Sequence, residues 1–175
     1  MGQIRLKEKS SEVILQTAKD IYNEEMDRFK NTEMKSGILL TALGVILTFY
    51  LTYLKDLKVE WITNYTGFYC FFIIVSPIII LCSLLTIWYL FKALKGSKYE
   101  QVSINSIVEE EFACCDSSDV AFDIAATYQN VVNKNRKKLE NKIENYNQGL
   151  YFLQNTIMYL VLYIFLEGVL KFVIK

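Results

Sequence analysis

The chain has 175 residues, 53% of them hydrophobic, with 19 basic and 19 acidic residues and no histidine. A net charge of zero argues against a nucleic acid polymer as partner, and the lack of His removes the commonest metal ligand and general base together. The apolar residues come in blocks, which marks an integral membrane protein rather than one water-soluble core.

Residues 1–35 are expected to form a helical arm. Ser10 or Ser11 is its expected cap, and Ile14, Ala18, Ile21 and Phe29 recur at helical spacing. The first apolar run begins only after Lys35, so no cleavable signal peptide is expected. Gly2 does not make a myristoylation site, because Leu6 stands where Ser or Thr is needed. Residues 36–54 carry no charge and would cover about 28 Å as a helix, close to the thickness of a hydrocarbon core. Within them Gly44, beside Thr41 and Ala42, offers a small-residue surface for close helix contact.

A short polar loop, residues 55–66, holds Trp61 and Tyr65, the aromatics expected at a membrane surface. Asn64-Tyr65-Thr66 matches a glycosylation sequon, but it abuts the membrane. The second span is expected over residues 67–91. Pro77 near its middle removes a backbone hydrogen bond, giving either an ordinary membrane-helix kink or a gating hinge. Cys70 and Cys82 read as small apolar residues, and the adjacent Cys114 and Cys115 fit no C-x-x-C pattern.

Residues 92–149 form the second polar region. A short helix is expected over residues 104–112, flanked by extended pieces. From residue 118, behind a cap in Asp116, Ser117 and Ser118, a long helix begins. Its stripe is Ile124, Tyr128, Val131 or Val132, Leu139, Ile143 and Tyr146. Gly149 is the one candidate break before the third span, residues 150–172. The arm from 118 to 150 would be about 48 Å long. A polar helix of that length is marginal alone in water, so it needs partners.

The basic residues give the topology. Residues 1–35 carry seven Lys or Arg and residues 92–149 carry eight, against two in the loop and two in the tail. The positive-inside rule then places the N terminus and both arms in the cytoplasm and the C terminus outside. The fold class expected is an all-α integral membrane protein, with three transmembrane helices and long cytoplasmic helical arms that form a bundle.

Glu24, Glu25 and Asp27 precede the first span by about as many residues as Arg136, Lys137 and Lys138 precede the third, which sets both clusters about 13–21 Å from the membrane. Inter-arm pairing or plain solvation is the first reading. An anionic ligand such as a nucleotide on Arg136, Lys137 and Lys138 is the second. Inside the third span, Gln154 and Asn155 suit either an interhelical hydrogen bond or a water-filled pathway. Glu167 suits an interfacial charge or a carboxylate ring in an oligomeric pore. No nucleophile elbow, phosphate-binding glycine loop or metal pair is present, and Glu109 and Glu111 sit in a polar segment. Neither catalysis nor a cofactor is expected.

The arm EEMDRFKNTEMK running into GILLTALGVIL, followed by a second span and then by YQNVVNKNRKKLE, resembles the SLATT superfamily of small bacterial membrane effectors. It is also similar to the membrane effectors of cyclic-pyrimidine (Pycsar) anti-phage systems. Many SLATT members have two spans, and the third here departs from them. The resemblance implies an inner-membrane defence effector that oligomerises and permeabilises or depolarises the membrane. Its trigger would be a nucleotide second messenger or a protein encoded beside it. A scaffold that recruits a soluble partner through the arms is the alternative.

Overall fold

The computed structural model describes residues 8–56, 66–95, 99–103 and 115–173, and among these the only regular structure is α-helix. The helices are α1 (Glu8–Asp56), α2 (Thr66–Leu94) and α3 (Ser117–Val173). Each is long and apolar enough to cross a membrane. The expected spans at 36–54, 67–91 and 150–172 lie inside α1, α2 and α3 in turn. The short helix expected over 104–112 and the aromatics of the 55–66 loop lie outside the described residues.

One expectation changes at a helix end. Ser10 and Ser11 do not cap α1, because the helix already runs through them from Glu8. Ser11 is fully buried in the helix face, where its small side chain permits close packing. Gly149 does not break α3, which is continuous from Ser117 to Val173. At the start of α3 the backbone N–H groups of Asp119 and Val120 both donate to the Asp116 carbonyl, at 3.0 and 3.2 Å.

The chain divides into two compact units. In the first, the opening part of α1 lies alongside α3 up to Lys142, joined by residues 99–103. Tyr22 meets Tyr128 edge-on at 5.3 Å, and Phe29 lies under the ammonium of Lys142. Contacts that advance together along both helices make this a parallel pair. The buried α1 positions in this unit are Ser11, Tyr22, Glu25, Phe29 and Thr32, at helical steps of eleven (about three turns), three, four and three. Facing them on α3 are Ala121, Ala125, Val132, Asn135, Leu139 and Lys142.

The second unit holds the rest of α1, all of α2 and the rest of α3. Phe72 packs on Tyr163 at 4.6 Å while Tyr89 stacks on Phe152 at 5.6 Å, so α2 runs antiparallel to α3. Its core is Tyr50, Phe72, Val75, Ile79 and Tyr163. The Tyr50 hydroxyl donates to Ser76 Oγ at 2.8 Å, which satisfies a polar group that lipid could not. Large apolar side chains such as Ile38, Phe49, Leu81, Trp88 and Phe165 face outward, as helices in hydrocarbon require. α2 continues as helix through Pro77.

One close approach depends on a glycine. A Cβ at Gly149 would lie 2.7 Å from Leu90 Cδ2 and 3.4 Å from the Leu90 backbone nitrogen, and Leu90 is itself fully buried. Gly149 therefore lets α3 seat against α2. By contrast Gly44 has no atom of this chain within 4 Å of that position, and Thr41 and Ala42 beside it are exposed.

Candidate functional site

The most elaborated polar chemistry lies in the first unit, where residues 99–103 cross the helix pair. Asn135, fully buried on α3, uses both ends of its amide on one residue. Its Oδ1 accepts from the Glu100 backbone N–H at 3.0 Å, and its Nδ2 donates to the Glu100 carbonyl at 2.9 Å. One helical turn on, Lys138 Nζ donates to Glu100 Oε1 at 2.8 Å. This bond, the Lys138 charge and more distantly Lys134 hold the Glu100 carboxyl below its ordinary range.

Beside the amide clamp, the Tyr99 ring enters an aromatic slot. It lies 5.8 Å from the Tyr22 ring and 5.3 Å from the Phe29 ring. The Tyr99 hydroxyl is buried beside the Asn135 amide, and Glu25 Oε2 is buried without a hydrogen-bond partner among the described residues. Burial first, then the Glu25 carboxylate and Tyr22, push the Tyr99 phenol up to about 12, against a smaller opposing pull from the Asn135 amide. Lys142, 2% exposed, sets its ammonium 3.7 Å from the Phe29 ring centre, a desolvated cation–π contact.

At the other end of the pair, α1 and α3 leave an open groove of about 330 Å³. Val13, Ile14 and Ile21 line it from α1, and Phe122, Ala126 and Val132 from α3. Val13 and Phe122 are 60% and 44% exposed, a high figure for apolar residues in the polar region of the chain.

The candidate residues named from the sequence separate into distinct settings. Glu25 turns inward on α1, while Glu24 and Asp27 are exposed. Lys138 is committed to Glu100, while Arg136 and Lys137 are exposed. Among the described residues none of Glu24, Asp27, Arg136 and Lys137 makes an ion pair. In the second unit Gln154 is exposed, and Asn155 donates to the Tyr151 carbonyl of its own helix at 3.0 Å. Glu167 is buried, thirteen residues from Gln154, about 20 Å along the helix. Pro77 is exposed.

Sequence reasoning missed Tyr99, Glu100, Asn135 and Lys142. The available signal was a polar residue, Asn135, in register with the apolar stripe through Val132 and Leu139. No group of metal-ligating side chains occurs among the described residues. No protein-family model matches the chain, and no curated protein or solved structure matches it.

Proposed function

We propose that this protein is a bacterial inner-membrane defence effector that permeabilises or depolarises the membrane as an oligomer. Its N terminus and polar helices lie in the cytoplasm and its C terminus outside. The trigger, a nucleotide second messenger or an adjacent defence protein, acts on the polar unit. The order of segments that resembles SLATT and Pycsar effectors supports this reading.

The observation that carries the reading is how the apolar unit is filled. Tyr50, Phe72 and Tyr163 pack together at the core of its three helices, so side chains fill that core among the described residues. The face it leaves uncovered includes Thr41, Gly44, Thr48 and Thr52 on α1, and Gln154 on α3 is exposed as well. The threonine hydroxyls donate to carbonyls one turn back, at 2.9–3.0 Å, so this face is tolerated in lipid and still offers oxygen atoms. A conducting path therefore forms between copies, when such faces meet around an axis.

The test is membrane potential in a bacterial host during induced expression, read with a voltage-sensitive dye, together with leakage from liposomes holding the purified chain. Depolarisation and leakage are expected. An oligomer in the membrane with full potential and tight liposomes would sink the reading and favour the scaffold alternative. The open apolar groove of the polar unit is the observation in favour of that alternative.

A further inference from the structure

The groove between α1 and α3 continues into two bands of opposite charge. On α1, Val13, Thr17, Ile21, Glu24 and Asp27 follow at steps of four, four, three and three, so they share one face. On α3, Phe122, Ala126, Gln129, Asn133 and Arg136 follow at steps of four, three, four and three, with Lys137 adjacent. Each face is therefore apolar where it lines the groove. It becomes charged a turn or two later, acidic on α1 and basic on α3. Because the helices are parallel, both bands lie beyond the same end of the groove. Tyr22 beside Tyr128 sets the register, which puts Asp27 level with Asn133, about one turn before Arg136 and Lys137.

Within one chain these charges stay exposed and unpaired among the described residues. In two copies related by a two-fold axis parallel to the helix pair, the helices run in the same sense and equal levels meet. A two-fold axis along the groove sets α1 of each copy beside α3 of the other. The apolar linings then close on each other, and each acidic band lies one to two turns from a basic band, a gap that the long Arg and Lys side chains span. We infer that the groove is a homotypic docking face, on which a second copy of this chain seats with Glu24 and Asp27 of one copy against Arg136 and Lys137 of the other. A conventional interface covers roughly 800 Å² on each partner, and the groove with its flanking bands forms the apolar centre and polar rim such an interface needs.

The inference rests on the self-association in the proposed function and names its surface. Association and depolarisation are read separately, so either can fail alone. The experiment uses full-length chains carrying two different tags, expressed together and co-purified in detergent. One variant is Glu24→Lys with Asp27→Lys, and the other is Arg136→Glu with Lys137→Glu. Each variant paired with itself is expected to lose co-purification by about tenfold or more, since both halves of the symmetric contact become repulsive.

The two variants paired with each other are expected to recover it, because one half of that contact is native and the other is fully swapped. Recovery also shows that both variants fold. A mixed pair no better than either variant alone would overturn the inference. So would wild-type association of a chain carrying Ile21→Ser and Phe122→Ser, whether or not that chain lost some other bound protein.

Discussion

Asn135 holds Glu100 by both backbone groups of that residue, as a neighbouring strand would, although Asn135 sits on a helix. An amide side chain is the group that can accept and donate at once in this geometry. Asn135→Asp keeps the shape but loses the donor and sets a carboxylate oxygen against the Glu100 carbonyl. Asn135→Ala leaves both backbone groups without their partner. Either change is expected to cost about 1–3 kcal/mol, read as a lower unfolding midpoint, with faster protease cleavage near residues 99–103.

Lys138→Glu tests the second contact of the same segment. It replaces the 2.8 Å ion pair with two carboxylates. Glu100 has a depressed carboxyl, so its contribution is present above the ordinary Glu range and fades as pH falls through the lowered value. Wild type should therefore lose stability on acidification more steeply than Glu100→Gln. Equal acid slopes for the two chains would remove Glu100 from the account.

Tyr99 gives an alkaline prediction. Its phenol titrates near 12 in the folded chain, against about 10 for a free tyrosine. Between those values the unfolded chain gives up a proton that the folded one keeps, so stability drops as pH rises from about 10 to 12. Tyr99→Phe keeps the ring contacts and should flatten that drop. Difference absorbance of phenolate between the two proteins should show one more tyrosine ionising near 12 in wild type than in the variant.

Gly149→Ala and Gly44→Ala form a matched pair in the apolar unit. Alanine favours a helix over glycine by about 0.8–1.0 kcal/mol at either position. At Gly149 the new methyl meets the buried Leu90, and such overpacking costs about 1–3 kcal/mol. Gly149→Ala should therefore be neutral to destabilising, and Gly44→Ala stabilising, when unfolding is followed in detergent. Gly149→Leu should fail to form the α2–α3 contact at all.

What could be read from the sequence followed the length scale of the signal. The apolar blocks at 36–54, 67–91 and 150–172 are long, uncharged runs, and each falls within a helix apolar enough to span a membrane. The finer pattern of the polar unit was harder. Ile14 and Ile21 stand in the expected stripe, yet they line an open groove, while Phe29 of the same stripe is buried and shares its face with Tyr22 and Glu25, one step around. Hydrophobicity alone could not trace the whole of that face, because it buries the Glu25 carboxylate, and the α3 face of the same unit buries Lys142. Asn135 was out of reach for a related reason: its partner is a backbone 35 residues away in an irregular segment. Gly149 drew notice as a helix breaker, but its use depends on Leu90 of another helix.

The parallel pairing of α1 with α3 also constrains how the chain is born. Tyr22 leaves the ribosome about a hundred residues ahead of Tyr128, its edge-on partner. At ~5–20 residues per second this is a delay of about 5–20 s. Throughout it, the opening turns of α1 have only solvent or a neighbouring nascent chain to meet. On a crowded polysome the finished α3 of one chain competes with its neighbour's for the same waiting helix, so translation speed becomes a determinant of whether the pair closes within a molecule or between two.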